Sequence, residues 1–253
     1  DTGDKPPAKD VQGWNGRAGM LWDAGEGLRL RASLGRKLRA PTMRELFGQA
    51  LNRFLDNPDL KPERIVTAEM AAEWRRETFS LSVIPFMQNV KDTIDQRNVG
   101  NLRQRINLEG SRIQGVELSG DWQPAAHWRL TGNATWSDVS KDGTAPGQSD
   151  KLAEKPELLA RMSAEYQHPA GFRASIEAEH VGRAYSLDAT GALAPLARST
   201  SFNVRVAHEF GPRSSRGEIF LQIDNLADTL IEPQLGLPAP GRSVLVGIRI
   251  KRG

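Results

Sequence analysis

Several residue types in this chain could do chemistry. Glu177 and Glu179 stand two residues apart, which puts two carboxylates on one face of a strand, as the acid and base of a glycoside hydrolase could be. On a polar strand face they read more simply as solvated charges. The four histidines, His127, His168, His180 and His208, are scattered and make no metal-ligand spacing. With no Cys there is no thiolate ligand, Cys nucleophile or disulfide. No nucleophile elbow, Ser–His–Asp arrangement or Gly-rich phosphate loop occurs. Met20, Met43, Met70, Met87 and Met162 form no cluster, so a thioether copper site is unsupported. Charge does concentrate in one stretch, residues 36–64. It carries Arg36, Lys37, Arg39, Arg44, Arg53, Lys61 and Arg64 against Glu45, Asp56, Asp59 and Glu63. Such a stretch attracts anions through its field and through charge-assisted hydrogen bonds. Two kinds of partner suit it, a small anion and an anionic surface. Arg36, Arg39, Arg44 and Arg53 are its candidate ligand-binding residues.

The elements that must hold these residues are strands. Apolar residues recur with period 2, the pattern of a strand with one apolar face. Phe202, Val204, Val206, His208 and Phe210 alternate with Asn203, Arg205, Ala207 and Glu209. The same alternation appears at 18–22, 28–34, 66–74, 79–83, 116–122, 128–136, 158–166, 172–178, 219–223 and 244–250, so eleven strands are expected. One helical stretch is expected at 41–51, where Pro41 can open a helix and Met43, Leu46 and Phe47 share a face. A twelfth strand, if present, lies in 92–109, where Ile94, Val99 and Ile106 sit.

The connections alternate strictly between short and long. Short ones fall at 24–27, 76–78, 123–127, 168–171 and 211–217. Long ones fall at 36–63, 92–109, 139–156, 182–198 and 227–241. Outer-membrane barrels sort their connections this way, with short periplasmic turns and long extracellular loops, whereas Greek-key sandwiches mix the lengths. Trp22, Trp74, Phe79, Trp122, Trp128, Tyr166, Phe172 and Phe210 occupy the apolar phase and flank short turns. A ring belt at one strand end is what a membrane–water interface selects. The other phase, including Arg29, Arg31, Glu73, Arg173 and Glu177, then faces a wet bore, where charge costs little. The expected fold is therefore all-β: an antiparallel, up-and-down transmembrane barrel. An odd strand count makes residues 1–253 the C-terminal part of a larger barrel, because barrels of this type have even counts and an open edge is a liability.

Composition agrees. A hydrophobic content of 38% and a mean hydropathy of −0.50 exclude a helical membrane protein, since no stretch nears the roughly 18–20 apolar residues of a spanning helix. The net charge of +3 comes from 34 basic residues scattered among 31 acidic ones, so nucleic acid is not an expected partner. No secretory leader is recognisable at Asp1–Pro7.

Several ordered motifs resemble the C-terminal half of TonB-dependent outer-membrane receptors. The first is Gly35-Arg36-Lys37-Leu38-Arg39-Ala40-Pro41-Thr42 with Glu45, Leu46 and Phe47. Next come Asn57-Pro58-Asp59-Leu60-Lys61-Pro62-Glu63 and, in the following strand, Glu69. Phe86, Asp92 and Ile94, then Gln114-Gly115-Val116-Glu117, then Pro156 follow. The last are Asp224-Asn225-Leu226-Ala227-Asp228 and Pro238-Ala239-Pro240-Gly241-Arg242. Pro41, Asn57, Pro58, Leu60, Pro62, Glu63, Gly115, Glu117, Asn225, Pro240, Gly241 and Arg242 are read as barrel-construction residues. The resemblance departs at Ile248–Gly253, where the family usually ends on an aromatic residue.

The resemblance implies a 22-stranded barrel in the Gram-negative outer membrane with no enzymatic activity and no cofactor. It implies four partners: a plug domain with the other half of the barrel, the TonB complex acting through that plug, the lipid and lipopolysaccharide around the wall, and a small metal chelate as cargo. A ferric siderophore is the expected cargo. Haem receptors of this kind usually carry a His between the Pro41 and Asn57 motifs, and none is present here. Haem or cobalamin uptake, or a passive porin or barrel adhesin, are the alternatives.

Overall fold

The computed structural model describes residues 11–48, 53–144, 149–211 and 215–252. In chain order the elements are β1 (Gly16–Gly25), β2 (Leu28–Arg39), helix α1 (Met43–Phe47), β3 (Phe54–Leu55), β4 (Glu63–Arg76), β5 (Phe79–Lys91), β6 (Ile94–Val99), β7 (Leu102–Asn107), β8 (Gly110–Ala125), β9 (Trp128–Asp142), β10 (Leu158–Gln167), β11 (Phe172–Val181), β12 (Ala184–Leu187), β13 (Leu193–Leu196), β14 (Ser199–Phe210), β15 (Ser215–Asp224) and β16 (Ser243–Arg252). Eleven of them form one sheet in the order β1-β2-β4-β5-β8-β9-β10-β11-β14-β15-β16, every pair antiparallel. The expected up-and-down architecture and strand count are borne out. The strands outrun their sequence patterns: β8 has 16 residues and β9 has 15, against the 9–11 that a tilted strand needs to cross a bilayer. Both therefore project beyond the membrane on the loop side. Residues 92–109 do not add a strand to this sheet. They form the hairpin β6–β7, which pairs with β3 in a separate three-stranded sheet.

Register aligns the apolar phase of every strand with that of its neighbour. Ala18 meets Leu34, Leu34 meets Ala68, Gly132 meets Met162, Ala178 meets Phe202 and Leu221 meets Val246. The result is a continuous apolar face whose largest side chains stand free: Met20 is 71% exposed, Met70 64% and Met162 68%. An apolar surface of this extent is far beyond what a water-soluble monomer carries. Lipid is the solvent that satisfies it. On the opposite face, small apolar residues such as Ala71 (5% exposed) and Ala207 (2%) are covered by the longer side chains around them.

Charges on this inner face pair with one another. Arg29 donates to Asp23 at 2.7 Å, Arg129 to Asp121 at 2.8 Å, Arg173 to Glu209 at 2.6 Å, and both Arg173 and Arg205 to Glu218 at 2.5 Å. Arg161 pairs with Glu179 and approaches Glu177, so the two carboxylates considered for acid–base chemistry share one guanidinium on a solvated wall.

Two motif residues show why the wall needs them. Gly115 sits across from Phe86 in the β5–β8 register. A Cβ at Gly115 would lie 2.3 Å from the Trp136 carbonyl oxygen and 2.8 Å from Phe86 Cζ. The missing side chain lets the ring lie flat across the neighbouring strand, a packing of aromatic against glycine. Glu117, two residues on, is exposed on the inner face. Asn225 is buried at the end of β15 with φ 50°, a left-handed conformation that Asn tolerates better than most residues. Its amide donates to the Thr229 carbonyl and its carbonyl oxygen accepts from the Thr229 N–H, both at 2.9 Å. Pro240 and Gly241 lead into β16, and the Arg242 N–H donates to Asp228 Oδ1 at 2.8 Å. This clamp closes the long connection between the last two strands.

Candidate functional site

The long connections gather at one end of the sheet and build on each other. The base of the first is a capped turn. Thr42 caps α1: its hydroxyl accepts from the Glu45 N–H at 3.2 Å, while Glu45 Oε2 accepts from the Thr42 N–H at 2.8 Å. Arg39 closes the turn from below. It donates to Glu45 at 3.0 Å and to Glu63 Oε2 at 2.5 Å, and the second Glu63 oxygen accepts from the Ile94 N–H at 2.7 Å. Burial alone would raise the Glu45 carboxyl, but hydrogen bonds from Arg39 and from Thr42 outweigh it and hold the group below its ordinary value. Only Met43–Phe47 of the expected helix is helical, and residues 49–52 lie outside the described residues.

Asparagines then tie the first long connection to the second. The Asn57 N–H donates to the Leu46 carbonyl at 2.9 Å, and its side-chain amide donates to the Arg105 carbonyl at 2.8 Å. Asn107 answers from β7. Its Oδ1 accepts from the Lys61 N–H at 2.8 Å, and its amide donates to the Lys61 and Asp92 carbonyls at 3.0 and 2.7 Å. Pro58 sits in the turn between these ties, Leu60 is buried beside them, and Pro62 hands over to β4. The Arg103 N–H donates to the Arg53 carbonyl at 2.9 Å, which fixes β3 against β7.

A third connection reaches the same assembly. The hairpin β12–β13 ends in a turn where Asp188 Oδ1 accepts from the Thr190 hydroxyl, the Thr190 N–H and the Ala192 N–H at 2.6–2.9 Å. Hydrogen bonds from Thr190 and then Ala192 keep the Asp188 carboxyl below its usual range. Gly191, at φ 86°, lies against the tip of β6–β7: a Cβ there would fall 2.3 Å from the Asn98 amide nitrogen. The last long connection ties to this hairpin and to the long connection before it: the Leu235 N–H donates to the fully buried Ser186 hydroxyl at 3.3 Å, and Gln234 donates to Glu154, in the connection between β9 and β10, at 2.7 Å.

The four arginines singled out in the sequence do not form one cluster. Arg36 shares the outward phase with Leu34; it donates to the Trp14 carbonyl at 2.7 Å and stacks on that indole at 4.4 Å. Arg39 is held between two carboxylates. Arg44 and Arg53 are exposed on the loop assembly. The sequence reading missed Arg97, Arg103 and Arg105 on the second loop. Phe54, Gln96, Asn98, Arg103 and Arg105 share one face of the small sheet, with Arg105 5.3 Å from the centre of the Phe54 ring. No carboxylate pairs with Arg53, Arg97, Arg103 or Arg105 among the described residues. Their signal lay in the alternation of Arg103 and Arg105 within a charged hairpin.

Other predicted residues sit as follows. Trp22, Trp74, Trp122, Trp128, Phe172 and Phe210 are exposed beside hairpin turns; Phe79 and Tyr166 are half-buried there. Trp74 packs edge-on against Phe79 at 5.5 Å, and Trp128 lies 5.0 Å from Tyr166. His127 and His168 occupy adjacent short turns, and His180 Nδ1 shares a hydrogen with the Thr200 hydroxyl at 2.8 Å. Among the described residues no group of three or more His, Asp and Glu is disposed to hold a metal ion.

Among solved structures, the chain is similar to the copper transporter OprC, with 19% identity and TM-score 0.74 over 92% of this chain and 39% of that one. It is similar to the siderophore receptor PirA from Acinetobacter baumannii, with 18% identity and TM-score 0.73 over 93% of this chain and 40% of that one. The ferric-catecholate import receptor Fiu from E. coli K12 matches at 19% identity and TM-score 0.71, over 92% of this chain and 34% of that one. The chain thus spans about two fifths of the length of these neighbours, and at such identities they speak for the fold. A family model described as "TonB dependent receptor-like, beta-barrel" matches residues 1–226. Proteins of that family are transporters and receptors of the outer membrane rather than enzymes. With a sheet whose outer face asks for lipid and whose family match runs through ten of its eleven strands, this chain belongs to the TonB-dependent receptor β-barrel family and lies in the outer membrane.

Proposed function

We propose that residues 1–253 are the C-terminal part of a larger receptor barrel that imports a scarce metal as an anionic chelate, a ferric siderophore above all, with energy coupled through a plug domain and TonB. The observation that carries the cargo assignment is the face of Phe54, Gln96, Asn98, Arg103 and Arg105, whose guanidinium groups are paired to no carboxylate among the described residues. An aromatic ring beside guanidinium groups suits a negatively charged chelate with flat ligand rings, through charge-assisted hydrogen bonds and stacking. Arg53 and Arg44 extend the same positive field, and Arg39 supports the loop that carries it, while Arg36 stands apart on Trp14. The eight rings beside the short turns serve as the headgroup-level belt on the periplasmic side. A bare copper cargo fits less well: Met20, Met70, Met87 and Met162 stand exposed on strands, in phase with the outer apolar face.

The test is uptake by the full-length gene product in an iron-starved host, using radiolabelled ferric siderophores alongside haem and cobalamin. Arg103→Gln/Arg105→Gln is expected to weaken chelate binding about 10-fold or more, on the scale of two charge-assisted contacts. Unchanged affinity would remove this face from the cargo path, and uptake without TonB would turn the reading towards a passive pore.

A further inference from the structure

A concave site lies under the long connection that carries β12–β13, on the lipid-facing side of the wall. Where β9, β10 and β11 reach their loop ends, the root of the β12–β13 hairpin overhangs them and leaves a groove of about 640 Å³. Its floor is apolar and outward: Trp136 pairs with Leu158 across β9–β10, and His180 stands on the same phase of β11. Trp136 is half exposed. Leu196, buried, forms part of the overhang. Arg183 and Arg198 stand at the two feet of the hairpin, line the groove, and are exposed with no carboxylate paired to either among the described residues. The acidic lining residue is Glu157, whose backbone is tied to Arg183 and Ser137 and whose charge acts on Lys151.

We propose that this groove docks a phosphorylated lipid of the outer leaflet, with a phosphate between Arg183 and Arg198 and an acyl chain along Trp136 and Leu158. Three features point to that occupant. The groove opens on the apolar face that lipid already covers. It lies at the loop end of the strands, where an indole marks headgroup level. Two guanidinium groups lining the same groove as that indole, paired to no carboxylate among the described residues, match a phosphate in charge, and guanidinium is the side chain that takes phosphate bidentately. The proposal needs only the orientation of the wall, so it stands or falls apart from the cargo assignment.

The experiment uses the full-length protein in detergent, without cargo, titrated with bis-phosphorylated lipid A and followed by native mass spectrometry. Parallel arms use the same lipid after enzymatic dephosphorylation, and sodium pyrophosphate as a soluble competitor. Arg183→Gln/Arg198→Gln is expected to weaken lipid A binding roughly 10- to 30-fold, on the scale of two basic side chains at an anionic surface. Lys91→Gln/Arg112→Gln removes equal charge at the loop ends of β5 and β8 and is expected to leave binding unchanged. Dephosphorylated lipid should bind as weakly to wild type as lipid A does to the double variant, a comparison that needs no folded variant. Equal binding of the two lipids to wild type, or wild-type affinity in Arg183→Gln/Arg198→Gln, would overturn the proposal. Displacement by pyrophosphate at lipid-like concentrations would also overturn it, showing a bare phosphate site.

Discussion

Replacing Gly115 by Ala tests the packing logic of the wall at one atom. The added methyl would meet a backbone oxygen at 2.3 Å and the Phe86 ring at 2.8 Å, both inside the contact distance of carbon. The ring can turn; the Trp136 carbonyl belongs to β9 and moves only with its strand. Overpacking of this kind costs about 1–3 kcal/mol, and the backbone obstacle puts Gly115→Ala in the upper half, about 2–3 kcal/mol or roughly 30- to 150-fold in the folded-to-unfolded ratio. Gly120→Ala in the same strand is the reference, because its nearest obstacle is at 3.5 Å; it should stay within about 0.5 kcal/mol of wild type. Phe86→Ala combined with Gly115→Ala removes the softer obstacle, so the double variant should lose about 1 kcal/mol less than the sum of the singles. The assay is urea unfolding of the full-length protein in lipid micelles, scored by the mobility of unboiled samples on gels. Equal stability of Gly115→Ala and Gly120→Ala would refute the close-packing account of the motif.

Two more expectations follow from the loop and the clamp. The Glu45 carboxyl titrates lower in the folded protein than its ordinary 4.5, so its contribution is full above that value and is lost as pH falls through the lower, folded one. Hydrogen-exchange protection of the Glu45 amide should therefore drop below pH 4.5, and Glu45→Gln should show the low protection at every pH; a wild-type amide insensitive to acid would contradict the capped-turn geometry. Asn225→Ala removes two hydrogen bonds and forces Ala into φ 50°, at a cost of about 3 kcal/mol. Asn225→Gly should recover about 1 kcal/mol of this by relieving the backbone, read as the midpoint of heat-induced loss of the fast gel band; identical midpoints for Ala and Gly would show that strain plays no part.

The wall was legible in the sequence because period-2 alternation is a local signal repeated in every strand, and because loop lengths sort by end. The strand ends were less legible. β8 begins at Gly110, well before the apolar run from Val116, because beyond the membrane neither face needs to be apolar. The loop assembly was hardly legible at all. β3 has two residues and β6 reads Ile-Asp-Gln-Arg-Asn-Val, too short and too polar to show a face. Asn57 and Asn107 were linked by nothing in the sequence, since the hydrogen bonds they make across the two connections span 46–48 residues. Arg36 is instructive in another way: two residues after Leu34, its phase already placed it outward, and charge counting by stretch overrode that information. Arg103 and Arg105 acquire meaning only when β3 lies beside them.

The paired charges along the inner wall bear on what can stand beside it. Arg29, Arg129, Arg173 and Arg205 each already hold a carboxylate of their own sheet. Each of these four guanidinium groups therefore keeps a counter-ion whether water or another part of the molecule fills the space beside it.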